Sequence, residues 1–169
     1  IIETKLQGAT GRTIIVETQG VLINFNNKPA VQTVFHDITE KRIASDALKT
    51  SEARYRSLIE MSPDGIAIND FENIFYINKS GADIMGEKSK NLINKPFLQY
   101  IHPKDRGKLK DVIVKLNKGE QVSRFEIAAV REDDSERIIE LKGFATTHEG
   151  KPAILTFLRD RTERIKSMK

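Results

Sequence analysis

Residues 27–41, NKPAVQTVFHDITEK, and residues 150–164, GKPAILTFLRDRTER, share Lys-Pro-Ala, a threonine and a closing Asp-x-Thr-Glu followed by a basic residue. Offsetting the chain against itself by 123 positions extends the match without a gap: Glu3 falls on Glu126, Ile15 on Ile138, Glu17 on Glu140 and Gly20 on Gly143. Apolar character persists at Val16/Ile139, Val21/Phe144 and Val31/Ile154. A period of this length belongs to a whole domain rather than to a solenoid repeat. Two copies of one domain type are therefore expected, with only the last forty or so residues of the first copy present.

The rest of the composition narrows the class. A hydrophobic share of 38% with 31% charged residues fits a soluble globular protein with one complete domain of about 110 residues. The absence of cysteine excludes disulfides and thiolate chemistry, and fits a reducing cytoplasm. The net charge of +4 is mild, and basic and acidic residues interleave, as in ERIKSMK against REDDSE. No one-sign stripe of the kind that binds nucleic acid is expected. No run approaches the roughly 18 apolar residues of a membrane span.

Local signals order the elements. TIIVETQGVLINF is rich in β-branched residues, and AVQTVF follows a turn at Asn26-Asn27-Lys28-Pro29, so residues 1–37 read as strands. Asp37 or Thr39 can cap a following helix, which runs without Gly or Pro toward Pro63. On it Ala44, Leu48, Ser51, Tyr55 and Leu58 recur at spacings of four, three, four and three, a heptad-type seam. SPDGIAINDFENIFYIN then reads as two strands around a tight turn at Phe71-Glu72-Asn73. KSGADIM, SKNL and FLQYI read as short helical pieces, and His102-Pro103-Lys104-Asp105 opens a longer helix with Leu109, Val112, Ile113 and Leu116 as its buried stripe, closed by Gly119. Three strands end the chain: SRFEIAAVRE, ERIIELKGFATTHE and AILTFLRD.

In that order the chain resembles the PAS sensory domain family. The residues that carry the resemblance are Ser62-Pro63-Asp64-Gly65-Ile66, Ile77-Asn78, Met85-Gly86, His102-Pro103-Lys104-Asp105-Arg106 and Asp160-x-Thr162. It covers roughly residues 52–165, and residues 1–37 resemble the last three strands of a second PAS domain. It implies an α+β fold, a five-stranded antiparallel sheet with small helices on one face, preceded by a linker helix. The expected divisions are 1–37 (incomplete first PAS domain), 38–60 (linker helix), 61–165 (complete PAS domain) and 166–169 (start of an output helix). Asp37-x-Thr39 running into a helix and a new PAS domain resembles the tandem sensors of bacterial histidine kinases.

PAS domains are often built around a cofactor, and each class makes a demand on the sequence. Flavin-adduct and thioester-chromophore sensors need a cysteine, and there is none. A haem sensor needs an axial ligand; His102, at the start of the long helix, reads instead as a turn or cap residue, and His36 and His148 have no partners at metal spacing. Non-covalent flavin favours aromatic stacking surfaces, and the chain lacks tryptophan. Neither cofactor nor metal is expected. A small unknown ligand would sit among Phe125, Ile127, Ile139 and Leu141, which strand alternation places on one face; the plainer reading is that they fill the core.

Enzyme signatures are missing. No phosphate-cradling glycine loop, nucleophile elbow or HExxH occurs, nor do the phosphoacceptor and ATP-binding motifs of a histidine kinase. The expectation is a non-catalytic sensory and dimerisation module in the cytoplasmic part of a two-component histidine kinase, whose parent is soluble or membrane-attached. Its relay residues would be Asp160 and Thr162, with Asp37 and Thr39 as their first-copy equivalents. The homodimer would form through the helix 39–60 or through swapped strands 1–37, because an uncovered three-stranded sheet is marginal by itself. A haem- or flavin-binding sensor, or the PAS region of another signalling protein, is the alternative.

Overall fold

The computed structural model describes residues 1–70, 72–120 and 122–163, and the chain divides into two compact units, Ile1–Tyr55 and the residues from Arg56 onward. In the first unit β1 (Ile2–Gln7), β2 (Thr13–Phe25) and β3 (Lys28–Asp37) form an antiparallel sheet in that order. The β2–β3 hairpin turns on Asn26 and Asn27, both at positive φ, 52° and 60°. Two left-handed residues in a two-residue loop match the twist of the flanking strands, and asparagine adopts that conformation at little cost. Helix α1 (Thr39–Glu60) follows. Leu48, Tyr55 and Leu58 of the heptad-type seam are about 60% exposed along it.

The second unit begins with β4 (Gly65–Asn69) and β5 (Ile74–Ile77), then α2 (Lys79–Met85) and α3 (Ser89–Leu92). Two 3₁₀ turns, Phe97–Tyr100 and Pro103–Asp105, lead into α4 (Arg106–Asn117), and β6 (Phe125–Val130), β7 (Glu136–His148) and β8 (Lys151–Asp160) complete it. The FLQYI piece and the HPKD run thus settle as 3₁₀ turns, the usual form of such short segments. In the β4–β5 turn Phe71 lies outside the described residues, while Asp70 Oδ1 accepts from Glu72 N–H and Asn73 N–H. Gly86 ends α2 at φ 76°, and Gly119, at φ 75°, follows α4.

The antiparallel sheet has the order β5-β4-β8-β7-β6. Its inner face contributes Ile127, Ile139, Leu141 and Leu158 to a core completed by Met85, Leu92, Phe97, Ile101 and Leu109, all almost wholly buried. Each such side chain contributes about 1.5–3 kcal/mol. The backbones of β4 and α2 pack closely: a Cβ on Gly65 would lie 2.7 Å from Gly81 Cα.

The sequence repeat is also a structural one. β1, β2 and β3 have the same lengths as β6, β7 and β8. Their pairings repeat at the same offset: Glu3 opposite Glu17 and Glu126 opposite Glu140, Gly20 opposite Thr33 and Gly143 opposite Thr156. Both long hairpins close on two left-handed residues, Asn26-Asn27 and Glu149-Gly150.

Candidate functional site

Each three-stranded meander ends in the same small hydrogen-bonded clamp. In the first, Asp37 Oδ1 accepts from the Thr39 backbone N–H at 2.9 Å and from its hydroxyl at 2.6 Å. Thr39 Oγ1 in turn accepts from Ile15 N–H on β2 at 2.8 Å, and Ile38 N–H donates to the Ile15 carbonyl at 2.9 Å. In the second, Asp160 Oδ1 accepts from Thr162 N–H at 2.8 Å, Thr162 Oγ1 accepts from Ile138 N–H at 3.0 Å, and Arg161 N–H donates to the Ile138 carbonyl at 2.8 Å. Both threonines are buried. The hydroxyl therefore ties the departing chain to the neighbouring strand, where sequence reasoning gave Asp or Thr the task of capping the helix. At the first clamp only Asp37 serves the start of α1. The two hydrogen bonds from Thr39 hold the Asp37 carboxyl below its usual range.

Around the second clamp lies a row of ion pairs on the open face of the sheet. Arg159, one residue before Asp160, grips Asp64 with both arms of its fork, Nε to Oδ1 at 2.7 Å and a second nitrogen to Oδ2. Asp64 is held below the ordinary carboxylate range, chiefly by that hydrogen bonding from Arg159. Arg161 and Arg124 share Glu140 at 3.3 and 3.6 Å, while on the opposite side of the strands, by alternation, Arg137 lies 3.6 Å from Asp160. Phe144 and Phe157 pack edge to face beside this row, with the Lys142 ammonium 4.8 Å from the Phe144 ring centre. Asp64, Arg159, Arg124, Glu140 and the two phenylalanines border an open cleft of about 220 Å³.

The end of α1 is fastened to the same unit. Glu60, its last residue, accepts from the Tyr76 hydroxyl at 2.5 Å and from Lys79 N–H at 3.0 Å. Asn78, fully buried, uses its whole amide: Oδ1 accepts from Ile66 and Gly81 N–H, and Nδ2 donates to the Ile59 and Asp64 carbonyls.

These observations, a buried core between one sheet face and short helices and a clamp at the sheet's exit, are matched by one family. The PAS domain profile fits residues 63–163. The chain belongs to the PAS domain family. Over 97% of its length it is 28% identical to sporulation kinase A of Bacillus subtilis, and spans 27% of that protein. The PAS domain of an HTR-like protein from Haloarcula marismortui superposes with a TM-score of 0.60 at 20% identity, over 70% of this chain and 98% of that one. A domain of a sensory box sensor histidine kinase/response regulator from Geobacter sulfurreducens gives 0.55 at 23% identity, over 67% and 96%. At such identities the structures speak for the fold.

Within the PAS domain, the four residues named for a ligand pocket form two cross-strand pairs, Phe125 with Leu141 and Ile127 with Ile139. Ile127, Ile139 and Leu141 are core and Phe125 packs against them. The cavity beside Phe125 and Leu141 measures about 10 Å³, room for one water molecule. His102 Nδ1 accepts from Lys104 N–H at 3.3 Å, and its Nε2 lies 3.5 Å from Glu136 at the surface. His148 stacks on Phe75, ring centres 4.6 Å apart. Among the described residues no group of three or more His, Asp or Glu is placed to hold a metal ion, and no helix is long and apolar enough to cross a membrane. Arg164, which closes the second motif, and the segment 166–169 lie outside the described residues.

Sequence reasoning missed three connections. Asp64 reads locally as a turn residue, and its partner Arg159 stands 95 positions away. Asp105, buried at the opening of the long helix, accepts from Ala128 N–H at 2.8 Å and pairs with Lys108 at 2.9 Å; burial pushes its carboxyl up, but these bonds prevail and hold it below the usual range. Arg131 donates to the Ile84 and Asp83 carbonyls at the end of α2.

Proposed function

We propose that this chain is a non-catalytic sensory and dimerisation module in the cytoplasmic part of a histidine kinase, in which the Asp160-x-Thr162 clamp relays a signal from the PAS sheet to the segment that follows. The observation that carries this reading is the duplicated clamp. Two meanders of the same register end in three equivalent bonds, with a fourth, hydroxyl to carboxylate, in the first, and the first hands the chain to α1, which leads into the next PAS domain. A device repeated at each exit from a sheet serves the exit rather than the core.

The magnitude suits a relay. A side-chain cap at a helix start is worth about 1 kcal/mol, the lower end of typical coupling between sites. Its loss would bias a two-state junction without unfolding the domain. The likeness to sporulation kinase A, which runs through both units at 28% identity, supports a histidine kinase as parent, whose catalytic parts would lie elsewhere.

In this reading residues 1–37 are the closing strands of another PAS domain. Phe35, Val31 and Leu22 of its sheet correspond to Leu158, Ile154 and Ala145 of the complete domain, and they are exposed. The exposed seam of α1, Leu48, Tyr55 and Leu58, forms the dimer contact. Asp37 and Thr39 relay between the two PAS units as Asp160 and Thr162 relay onward. No cofactor is required.

Native mass spectrometry, paired with an absorbance spectrum, tests the module. A dimer with no retained small molecule and no visible absorption supports it. A monomer at working concentration refutes the dimerisation role, and a haem or flavin band replaces the relay reading with a cofactor-based sensor.

A further inference from the structure

The last turn of α1 and the clamp at the end of β8 are joined through Asn78, Asp64 and Arg159. Asn78 spends all four of its hydrogen-bonding positions, and its Nδ2 ties the Ile59 carbonyl of α1 at 2.8 Å to the Asp64 carbonyl at 3.1 Å. A buried amide with no spare donor or acceptor has no alternative arrangement to adopt, so the end of the helix and the backbone of Asp64 move together. The Asp64 side chain points the other way along the chain of contacts, into the fork of Arg159. Arg159 is the residue immediately before Asp160, and successive strand residues point to opposite faces. A shift of Arg159 therefore turns the backbone that aims the Asp160 carboxylate.

We propose that Asp64 is the joint through which the last turn of α1 sets the Asp160–Thr162 clamp, its carbonyl tied to the helix by Asn78 and its carboxylate tied to the output strand by Arg159. An exposed ion pair by itself contributes little. This one is bidentate, a geometry that fixes orientation as well as separation, and it bridges the point where the chain enters the domain and the point where it leaves. The helix end has its own adjustable hold, because Glu60 takes the Tyr76 hydroxyl and the Lys79 N–H with its two carboxylate oxygens, and Ser80 Oγ donates to the Ser62 carbonyl. Loosening that hold gives a way to perturb the input without touching Asp64, Arg159 or the clamp.

The inference rests on the reading of the clamp as the output, and its test is made within this chain, so that its failure leaves that reading standing. Amide hydrogen exchange is followed by NMR at Ile138, Arg161 and Thr162, whose N–H groups make the clamp, in the intact chain and in Tyr76→Phe, Asp64→Asn and the double variant. Tyr76→Phe removes the hydroxyl from Glu60 and is expected to speed exchange at the three clamp amides about fivefold, the scale of a modest coupling, while amides of α4 keep their rates. In the Asp64→Asn background the same substitution is expected to add nothing. An equal acceleration in both backgrounds, no acceleration in either, or a uniform acceleration that includes α4 would overturn the proposal. If Asp64→Asn does not fold, Arg159→Gln opens the same fork from the other strand and is read against the same outcomes.

Discussion

Thr39 and Thr162 make the same bond in two different units: each accepts, through Oγ1, the N–H of a strand residue 24 positions earlier, Ile15 at 2.8 Å and Ile138 at 3.0 Å. The bond lies across the exit of the sheet, so it fixes where the last strand ends and the next element begins. A threonine suits the place because its hydroxyl serves the strand while its backbone N–H is held by the aspartate two residues before.

Removing that hydroxyl has a defined cost. Thr162→Val keeps the shape of a buried side chain and strands the Ile138 N–H, a loss of about 1–3 kcal/mol. Chemical denaturation should show that loss, and Thr162→Ser, which keeps the acceptor, should recover most of it. Equal stability of the valine and serine variants would mean that the bond holds nothing.

Two carboxylates with partners far along the chain contribute to the acid limb of stability. Asp64 and Asp105 both titrate below the usual range when folded, against about 3.9 when unfolded. The unfolded chain binds their protons first, so their contribution is complete above the unfolded value and is lost as pH falls through the folded one. Stability should hold at pH 6 and 5 and decline below about 4. Asp64→Asn and Asp105→Asn should each flatten that decline in a pH series of urea unfolding curves.

Glycines 65 and 81 let β4 and α2 touch backbone to backbone. A Cβ on Gly65 would meet Gly81 Cα at 2.7 Å and Leu158 Cβ at 3.1 Å, and one on Gly81 would meet Ile77 at 2.7 Å. Gly65→Ala should cost about 1–3 kcal/mol, the range of overpacking. The two glycines touch but a Cβ on each meets different neighbours, so the costs of the singles should not simply add in the double variant. Thermal unfolding of the three variants checks this.

The exposed seam of α1 is the proposed dimer contact, and a charge placed in it should be decisive. Leu48→Glu, on a residue 60% exposed, should leave the secondary structure unchanged and shift sedimentation from dimer to monomer. A dimer that survives the substitution would move the contact elsewhere, the sheet of residues 1–37 being next in line.

How far the sequence spoke depends on the range of each interaction. Strands, helices and turns follow from local rules: the Asn26-Asn27 turn, the Pro103 start and the Gly86 and Gly119 stops all act within a few residues. The clamp was legible in part, because the repeat marked Asp37, Thr39, Asp160 and Thr162 twice. Its geometry was not, since the acceptor role of Thr162 depends on Ile138, on a different strand. The Asp64–Arg159 fork and the fully used amide of Asn78 left no local trace, as their partners come together only when β4, α2 and β8 assemble. The pocket residues were placed on the right face by alternation, but whether they enclose a ligand or one another depends on the side chains of α4 and the 3₁₀ turns, whose volumes periodicity does not report.

The relay is tested most directly by autophosphorylation of the longer kinase to which we assign this chain, with Asp160→Ala introduced. The substitution removes the acceptor of Thr162 N–H and the partner of Arg137 while leaving the core untouched. The account predicts a domain that stays folded, by its thermal transition, and a phosphorylation rate changed about fivefold or more. A folded variant that phosphorylates at the rate of the unaltered kinase would contradict it.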